Sequence, residues 1–229
     1  MNTINWSLIQ QDLDAQGWAV IKGLLPVFEC QSLAKLFADE KGFRSHVHMA
    51  RHGFGRGEYK YFSYPLPEII AGLRTSLYPY LSEIANGWNT AMGLDEIYPA
   101  SHREYLQQCH DAGQTRPTPL LLSYGPGDYN RLHQDLYGAL VFPLQLTVLL
   151  SQPETDFTGG EFVLTEQQPR MQSRPYVAPL GQGDAVVFAV RQRPVRSARG
   201  FTRVNIRHGV SEIRSGNRHA LGIIFHDAK

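Results

Sequence analysis

The chain has 229 residues, 42% of them apolar, 11% aromatic and 19% charged. This is the profile of one compact soluble domain, with no apolar run near the ~18 residues that a membrane span needs. Its net charge of +1 excludes indiscriminate polyanion binding. Two cysteines, Cys30 and Cys109, are too few for a disulfide framework or a four-cysteine zinc site.

From the N-terminus, Trp6, Ile9, Leu13 and Trp18 recur at helical spacing, with Gly17 suited to a C-cap. MNTINWSLIQQDLD has neither the basic nor the apolar region of a secretory signal, so a cytoplasmic protein with free thiols and no membrane partner is expected. Leu33, Leu36 and Phe37 mark a second short helix after Pro26, and Leu66 to Met92 reads as a longer one, with Pro79 expected to kink or split it. Residues 100–112 suggest another helix.

From Thr118 the texture changes to short β-prone runs: LLLSYGP, LVFPLQLTVLL, GEFVLTE, DAVVFAV, TRVNIRHGVSEI and RHALGIIFH. Strands without intervening helices indicate an antiparallel sandwich or barrel. The expected organisation is a single domain over 1–229. Residues 1–115 form mainly helical support, and 118–229 form the β-core.

RLHQDLYG carries His133 and Asp135, which share a face if they lie on one strand. His208, late in the β-core, offers a third ligand, with His219 and His226 as rivals. Two histidines and a carboxylate with open positions are the donor set of non-haem Fe(II) oxygenases.

These segments resemble the Fe(II)/2-oxoglutarate dioxygenases. YGPGDYNRLHQD is similar to their first catalytic strand, and TGGEFVL to their Gly-Gly-Glu strand start. GQGDAVVF resembles the strand before the last ligand, and HGVSEIRSGNRHALGIIFH their final segment. The resemblance implies an α+β fold whose core is a double-stranded β-helix, jelly-roll or cupin-like, with N-terminal supporting helices. It implies Fe(II) at His133, Asp135 and His208, and no further catalytic residue beyond that metal centre. It places the distal carboxylate of 2-oxoglutarate on Arg218 and Tyr124. Arg207 and Arg214 are substitutes for Arg218, and Tyr129 for Tyr124. The activity implied is hydroxylation of a substrate C–H coupled to oxidative decarboxylation of 2-oxoglutarate, with O2 as oxidant. Leu146, Val148, Phe188 and Ile224 are expected either in the cavity wall or in ordinary core.

The charge is unevenly spread. Residues 1–169 hold 11 basic and 18 acidic side chains, a net −7, whereas 170–218 hold 10 and 2, a net +8. RQRPVRSARGFTRVNIR leads into His208, and Arg193, Arg196 and Arg199 are its candidate substrate contacts. A solvated hairpin rim explains the run equally well. HVHMARHGFGRGEYKYF at 46–62 mixes basic and aromatic residues, as a nucleic-acid surface does, or as a plain β-hairpin can.

The whole chain also resembles bacterial oxygenases assigned, by similarity to AlkB-type enzymes, to oxidative demethylation of damaged DNA bases. That implies alkylated DNA or RNA as partner. Two departures, the missing Asn-x-Tyr before His133 and the short interval from His208 to Arg218, bring it closer to prolyl-hydroxylase-like enzymes. These act on protein side chains or small molecules. A non-catalytic cupin-type binding barrel is the third reading.

Overall fold

The computed structural model describes residues 4–136, 138–198 and 200–229. Helix α1 spans Trp6–Gln16, starting at Asn5, whose side chain accepts the Leu8 amide. It ends at Gly17 in the left-handed conformation. Trp18 is not its last apolar residue, as its spacing suggests. It opens strand β1, Trp18–Ile21. Helix α2 is Val27–Lys35, after Pro26, and a 3-10 turn covers Leu36–Ala38. Strands β2 (Phe43–His48), β3 (Gly55–Arg56) and β4 (Glu58–Phe62) precede α3, Glu68–Met92, and α4, His102–Asp111.

Pro79 does not split α3. It sits between the buried residues Leu77, Tyr78 and Leu81, and packing on both sides outweighs the lost backbone hydrogen bond.

The rest of the chain is β: β5 Leu120–Tyr124, β6 Tyr129–His133, β7 Leu144–Leu149, β8 Phe157–Gly159, β9 Phe162–Gln167, β10 Arg174–Ala178, β11 Ala185–Ala189, β12 Gln192–Ser197, β13 Gly200–Val210, β14 Ile213–Gly216 and β15 Arg218–Ile223. The larger sheet has the order β1-β11-β7-β15-β5-β4-β2. The smaller runs β10-β9-β13-β6-β3, with β12 also on β13, and β14 pairs β8. All strand pairings are antiparallel. The result is the double-stranded β-helix with supporting helices.

The N-terminal half is less helical than its sequence suggests, because β1, β2 and β4 extend the larger sheet at both edges and β3 extends the smaller one. Segment 46–62 includes the β2–β4 pairing, the plainer of its two readings.

Alternation on β7 separates the two faces of the larger sheet. Gln145 and Thr147 face the interior cavity. Leu144, Leu146 and Val148 take the other face and join Leu73, Leu77 and Leu81 of α3 in the main apolar cluster. An apolar outer face under helices and a mixed inner face leave one lined chamber between the sheets.

Candidate metal centre

His133, the last residue of β6, pairs across to His208 of β13. Their rings stand 4.2 Å apart between centroids. Asp135 lies two residues beyond the end of β6, so the chain turns it back toward both rings rather than presenting it from the strand face. Its Oδ1 is 3.4 Å from His133 Nε2, and its Oδ2 is 3.4 Å from His208 Nε2. One ligand atom from each residue lies within 4.8 Å of the others. The sequence spacing thus comes together in three dimensions, and neither rival joins it. His219 faces outward against Ser123, 3.2 Å away. His226 is buried, its Nδ1 accepting the Phe142 amide at 3.2 Å.

The rings are held from behind. His133 Nδ1–H donates to the Arg131 carbonyl at 2.7 Å, which leaves Nε2 for the centre. His208 is braced by packing, with Phe188 at 4.5 Å and Phe162 at 5.9 Å between centroids. Phe188 is therefore a support of the site. Leu146 and Val148 are core on the far face, and Ile224 joins a small cluster with Tyr61 and Leu120.

Burial opposes protonation of His133, but its hydrogen bond to Asp135 and that carboxylate's charge outweigh burial and raise its pKa. Burial works against the Asp135 anion, yet both histidines hold its pKa well below the usual range. His208 is lowered by burial and then by its charged neighbour His133. An anionic oxygen beside two imidazole nitrogens is a donor set for a divalent transition metal.

Arg218 opens β15 directly opposite Tyr124 of β5. Both are about 1% exposed. The guanidinium lies 5.6 Å from the Tyr124 ring centroid and 5.9 Å from that of Phe157. Among the described residues no carboxylate is within ion-pair distance of it. Burial presses its pKa down, opposed by Tyr124 and Glu161.

Glycines make the room. A Cβ on Gly160, in TGGEFVL, would sit 2.9 Å from Arg218 Cδ, and one on Gly57 would sit 2.7 Å from the Tyr124 ring. Both have positive φ, at 61° and 107°. The Gly-Pro-Gly-Asp turn, closed by Asp128 accepting the Gly125 amide at 2.8 Å, then sets β6 beside β5.

A cavity of about 440 Å³ joins these parts, with His133, Asp135, His208, Arg218 and Tyr124 all in its wall. His208 Nδ1, Gln145 Oε1 and Arg218 Nε are buried without hydrogen-bond partners in the protein. A buried guanidinium facing polar groups across one chamber from an N,N,O donor set fits a metal-chelating dicarboxylate.

A family model described as an oxygenase, catalysing oxidative methylation of damaged DNA, matches residues 57–228. The chain belongs to this oxygenase family. The oxygenase is 54% identical over 167 residues to the uncharacterised proteins Rv2227 and MT2286 of Mycobacterium tuberculosis, covering 73% of this chain and 72% of theirs. Its fold is similar to that of a 2-oxoglutarate–Fe(II) oxygenase-family oxidoreductase from Burkholderia pseudomallei, with TM-score 0.57 and 14% identity over 99% of this chain and 93% of that one. A Pseudomonas putida prolyl-4-hydroxylase gives TM-score 0.54 and 16% identity over 95% and 96%. Family and donor set agree on an oxygenase with a metal-binding centre, and its fold is the one those 2-oxoglutarate–Fe(II) and prolyl-hydroxylase structures share. The non-catalytic barrel gives way to that reading.

The arginine run sits differently from its expected place at the mouth. Strand β13 is 11 residues long, and at roughly 3.4 Å per residue its start lies up to about 27 Å from His208. Arg193 contradicts a substrate role: it is 2% exposed and paired with Glu166. Its Nη1 and Nη2 cap α1 by donating to the carbonyls of Asp14 and Ala15 at 2.9 and 3.1 Å. Arg196 is exposed on β12, away from the cavity wall, and Arg199 lies outside the described residues. Arg207 points outward, and Arg214 is exposed, 3.5 Å from Glu161. Tyr129 pairs with Arg56 and is not in the wall, so none of the three substitutes displaces Arg218 or Tyr124.

The mouth is built instead from Phe54, Arg131, Leu132 and Leu136, all exposed and all in the cavity wall. Arg131 was legible as the i−2 neighbour of His133 on a strand, and Phe54 belongs to the 46–62 patch. What hid them is that the Phe54 carbonyl accepts the Arg131 amide at 2.9 Å, a contact across 77 residues of sequence.

Proposed function

We propose that this dioxygenase oxidises alkylated bases in DNA or RNA, with residues 1–229 acting as one unit. His133, Asp135 and His208 hold Fe(II), and Arg218 with Tyr124 holds the distal carboxylate of 2-oxoglutarate. When bound, the iron would let O2, the oxidant, oxidise 2-oxoglutarate to succinate and CO2 and a substrate C–H to an alcohol, one oxygen atom going to each. On an N-methyl carbon the resulting hemiaminal releases formaldehyde, so oxidation there runs as demethylation.

The protein's own part is positional. Arg218 anchors one end of the cavity, so the reacting carbon must enter from the other, past Phe54, Leu132 and Leu136. That entrance presents the apolar side chains of Phe54, Leu132 and Leu136 beside the cation of Arg131. Apolar surface suits the face of a base, and a single cation suits the adjacent phosphate. The observation that carries the reading is this mouth on a triad-bearing cavity, in a chain of a family described by its action on damaged DNA.

The test is succinate and formaldehyde formation with single-stranded oligonucleotides carrying N-methylated bases, against unmethylated controls. Equal release of both products, dependent on methylation, is expected. Stimulation by peptides or small metabolites, with none by methylated strands, overturns the substrate.

A second reading is hydroxylation of a protein side chain or small molecule. It is supported by the Arg218–Tyr124 pairing only ten residues after His208, the prolyl-hydroxylase-like arrangement. The same assay with a peptide arm separates the two.

A further inference from the structure

A second cluster of metal-binding side chains lies outside the cavity. On β2, His46 and His48 are two residues apart and share a face. Glu58 of β4 is the direct cross-strand neighbour of His48. His46 Nε2 is 2.8 Å from Glu58 Oε2, and His48 Nδ1 is 3.0 Å from Glu58 Oε1. The two rings are 4.6 Å apart, and one ligand atom from each of the three residues lies within 4.8 Å of the others.

We propose that His46, His48 and Glu58 form a second metal site, for a borderline divalent cation and Zn(II) foremost. The argument is geometric. An ion with bonds of roughly 2.0–2.1 Å in tetrahedral array needs donor atoms about 3.3 Å apart. The two nitrogen–oxygen separations, one to each oxygen of the Glu58 carboxylate, lie within about half an ångström of that, so a small rotation of the carboxylate brings one oxygen to both rings. Two imidazoles with one carboxylate favour zinc over calcium or magnesium, which prefer all-oxygen shells. The three side chains are each about 40% exposed, so solvent can complete the shell.

The surroundings leave these donors available. Lys60, cross-strand neighbour of His46, turns its ammonium to the carbonyls of Phe37 and Asp39, both at 2.9 Å. The Phe37 ring meets His46 edge-on at 6.1 Å and steadies it.

The site has a structural consequence. β2 is an edge strand of the larger sheet. Val47 and Tyr59, paired between the cluster residues, project to the opposite face, and Tyr59 lines the catalytic cavity. The chain between β2 and β4 carries Phe54. A cation bridging the outer faces of β2 and β4 fastens the ribbon that forms one wall of the mouth.

The experiment is metal counting by equilibrium dialysis with Zn(II), and with Co(II) for its ligand-field spectrum. The proteins compared are the wild type, His133→Ala/His208→Ala, His46→Gln/His48→Gln, and the variant with all four changes. Two equivalents in the wild type, one in each double variant and none in the fourth are expected. Glu58→Gln, which keeps a hydrogen-bonding side chain but loses the anion, should also lose one equivalent. In the triad variant, Zn(II) should slow hydrogen exchange across 43–62. A folded triad variant that binds no metal, or binds it undiminished after the His46 and His48 changes, overturns the proposal. The count stands apart from the catalytic reading. Failure of the triad appears as no loss in His133→Ala/His208→Ala, while this site still accounts for its own equivalent.

Discussion

Arg218 and Tyr124 face each other as direct cross-strand partners, both almost wholly buried, with no carboxylate within ion-pair distance of the guanidinium among the described residues. A buried cation in that state is costly to the fold and valuable to an anionic ligand. Arg218→Met should lower 2-oxoglutarate affinity about 10- to 100-fold, since a charge-assisted hydrogen bond contributes ~1.5–3 kcal/mol. The ligand-free melting temperature should stay level or rise. Calorimetric titration and a thermal scan check both. Unchanged 2-oxoglutarate affinity would remove Arg218 from its role.

The mouth makes a second prediction. Phe54→Ala should weaken binding of a methylated single strand by about tenfold or more, because stacking of a base on an aromatic is worth ~1–3 kcal/mol. Arg131→Glu should weaken it further at low salt. Arg196→Glu, on a strand that leads away from the site, should change it less than twofold. Fluorescence anisotropy with a labelled oligonucleotide measures all three. The reverse ranking would return the phosphate contacts to the arginine run.

Arg193 should behave as a structural residue. Arg193→Ala strands the buried Glu166 and uncaps α1, at a cost of about 3–5 kcal/mol. Arg193→Met/Glu166→Leu should recover most of that loss and bind nucleic acid like the wild type. Urea unfolding is the check. A folded Arg193→Ala with wild-type stability and reduced DNA affinity would contradict it.

His226 supplies a pH dependence. Burial first, then the charge of Arg74, pushes its pKa down to about 4 in the folded chain. The unfolded value is about 6.5, so between those limits the unfolded chain binds a proton that the folded one does not. Stability therefore falls as pH drops from about 6.5 to about 4, by up to about 3 kcal/mol from this residue. His226→Asn keeps an acceptor for the Phe142 amide and should flatten that slope in unfolding midpoints measured from pH 7 to pH 4. An identical slope in both proteins would refute the assignment.

The triad was legible because its donors lie within a short segment and one later strand. The β-core was legible from runs such as DAVVFAV, where burial on both faces leaves continuous apolar sequence. β2 was not, since FRSHVH has no fully buried residue and hence no apolar alternation. Arg193 misled because its partners, Glu166 and the end of α1, are distant in sequence, and local charge density carries no sign of them. Trp18 continued a helical spacing by coincidence, and Gly17 ended the helix before it.

The central claim is that one chamber binds a metal at His133, Asp135 and His208 and 2-oxoglutarate at Arg218. Anaerobic titration of the metal-free protein with Fe(II) and 2-oxoglutarate tests it most directly, read by the weak visible charge-transfer band of the chelate. The band should develop in the wild type, vanish in His208→Ala and require far more 2-oxoglutarate in Arg218→Met. A band that persists in His208→Ala, or none in the folded wild type, would contradict the account.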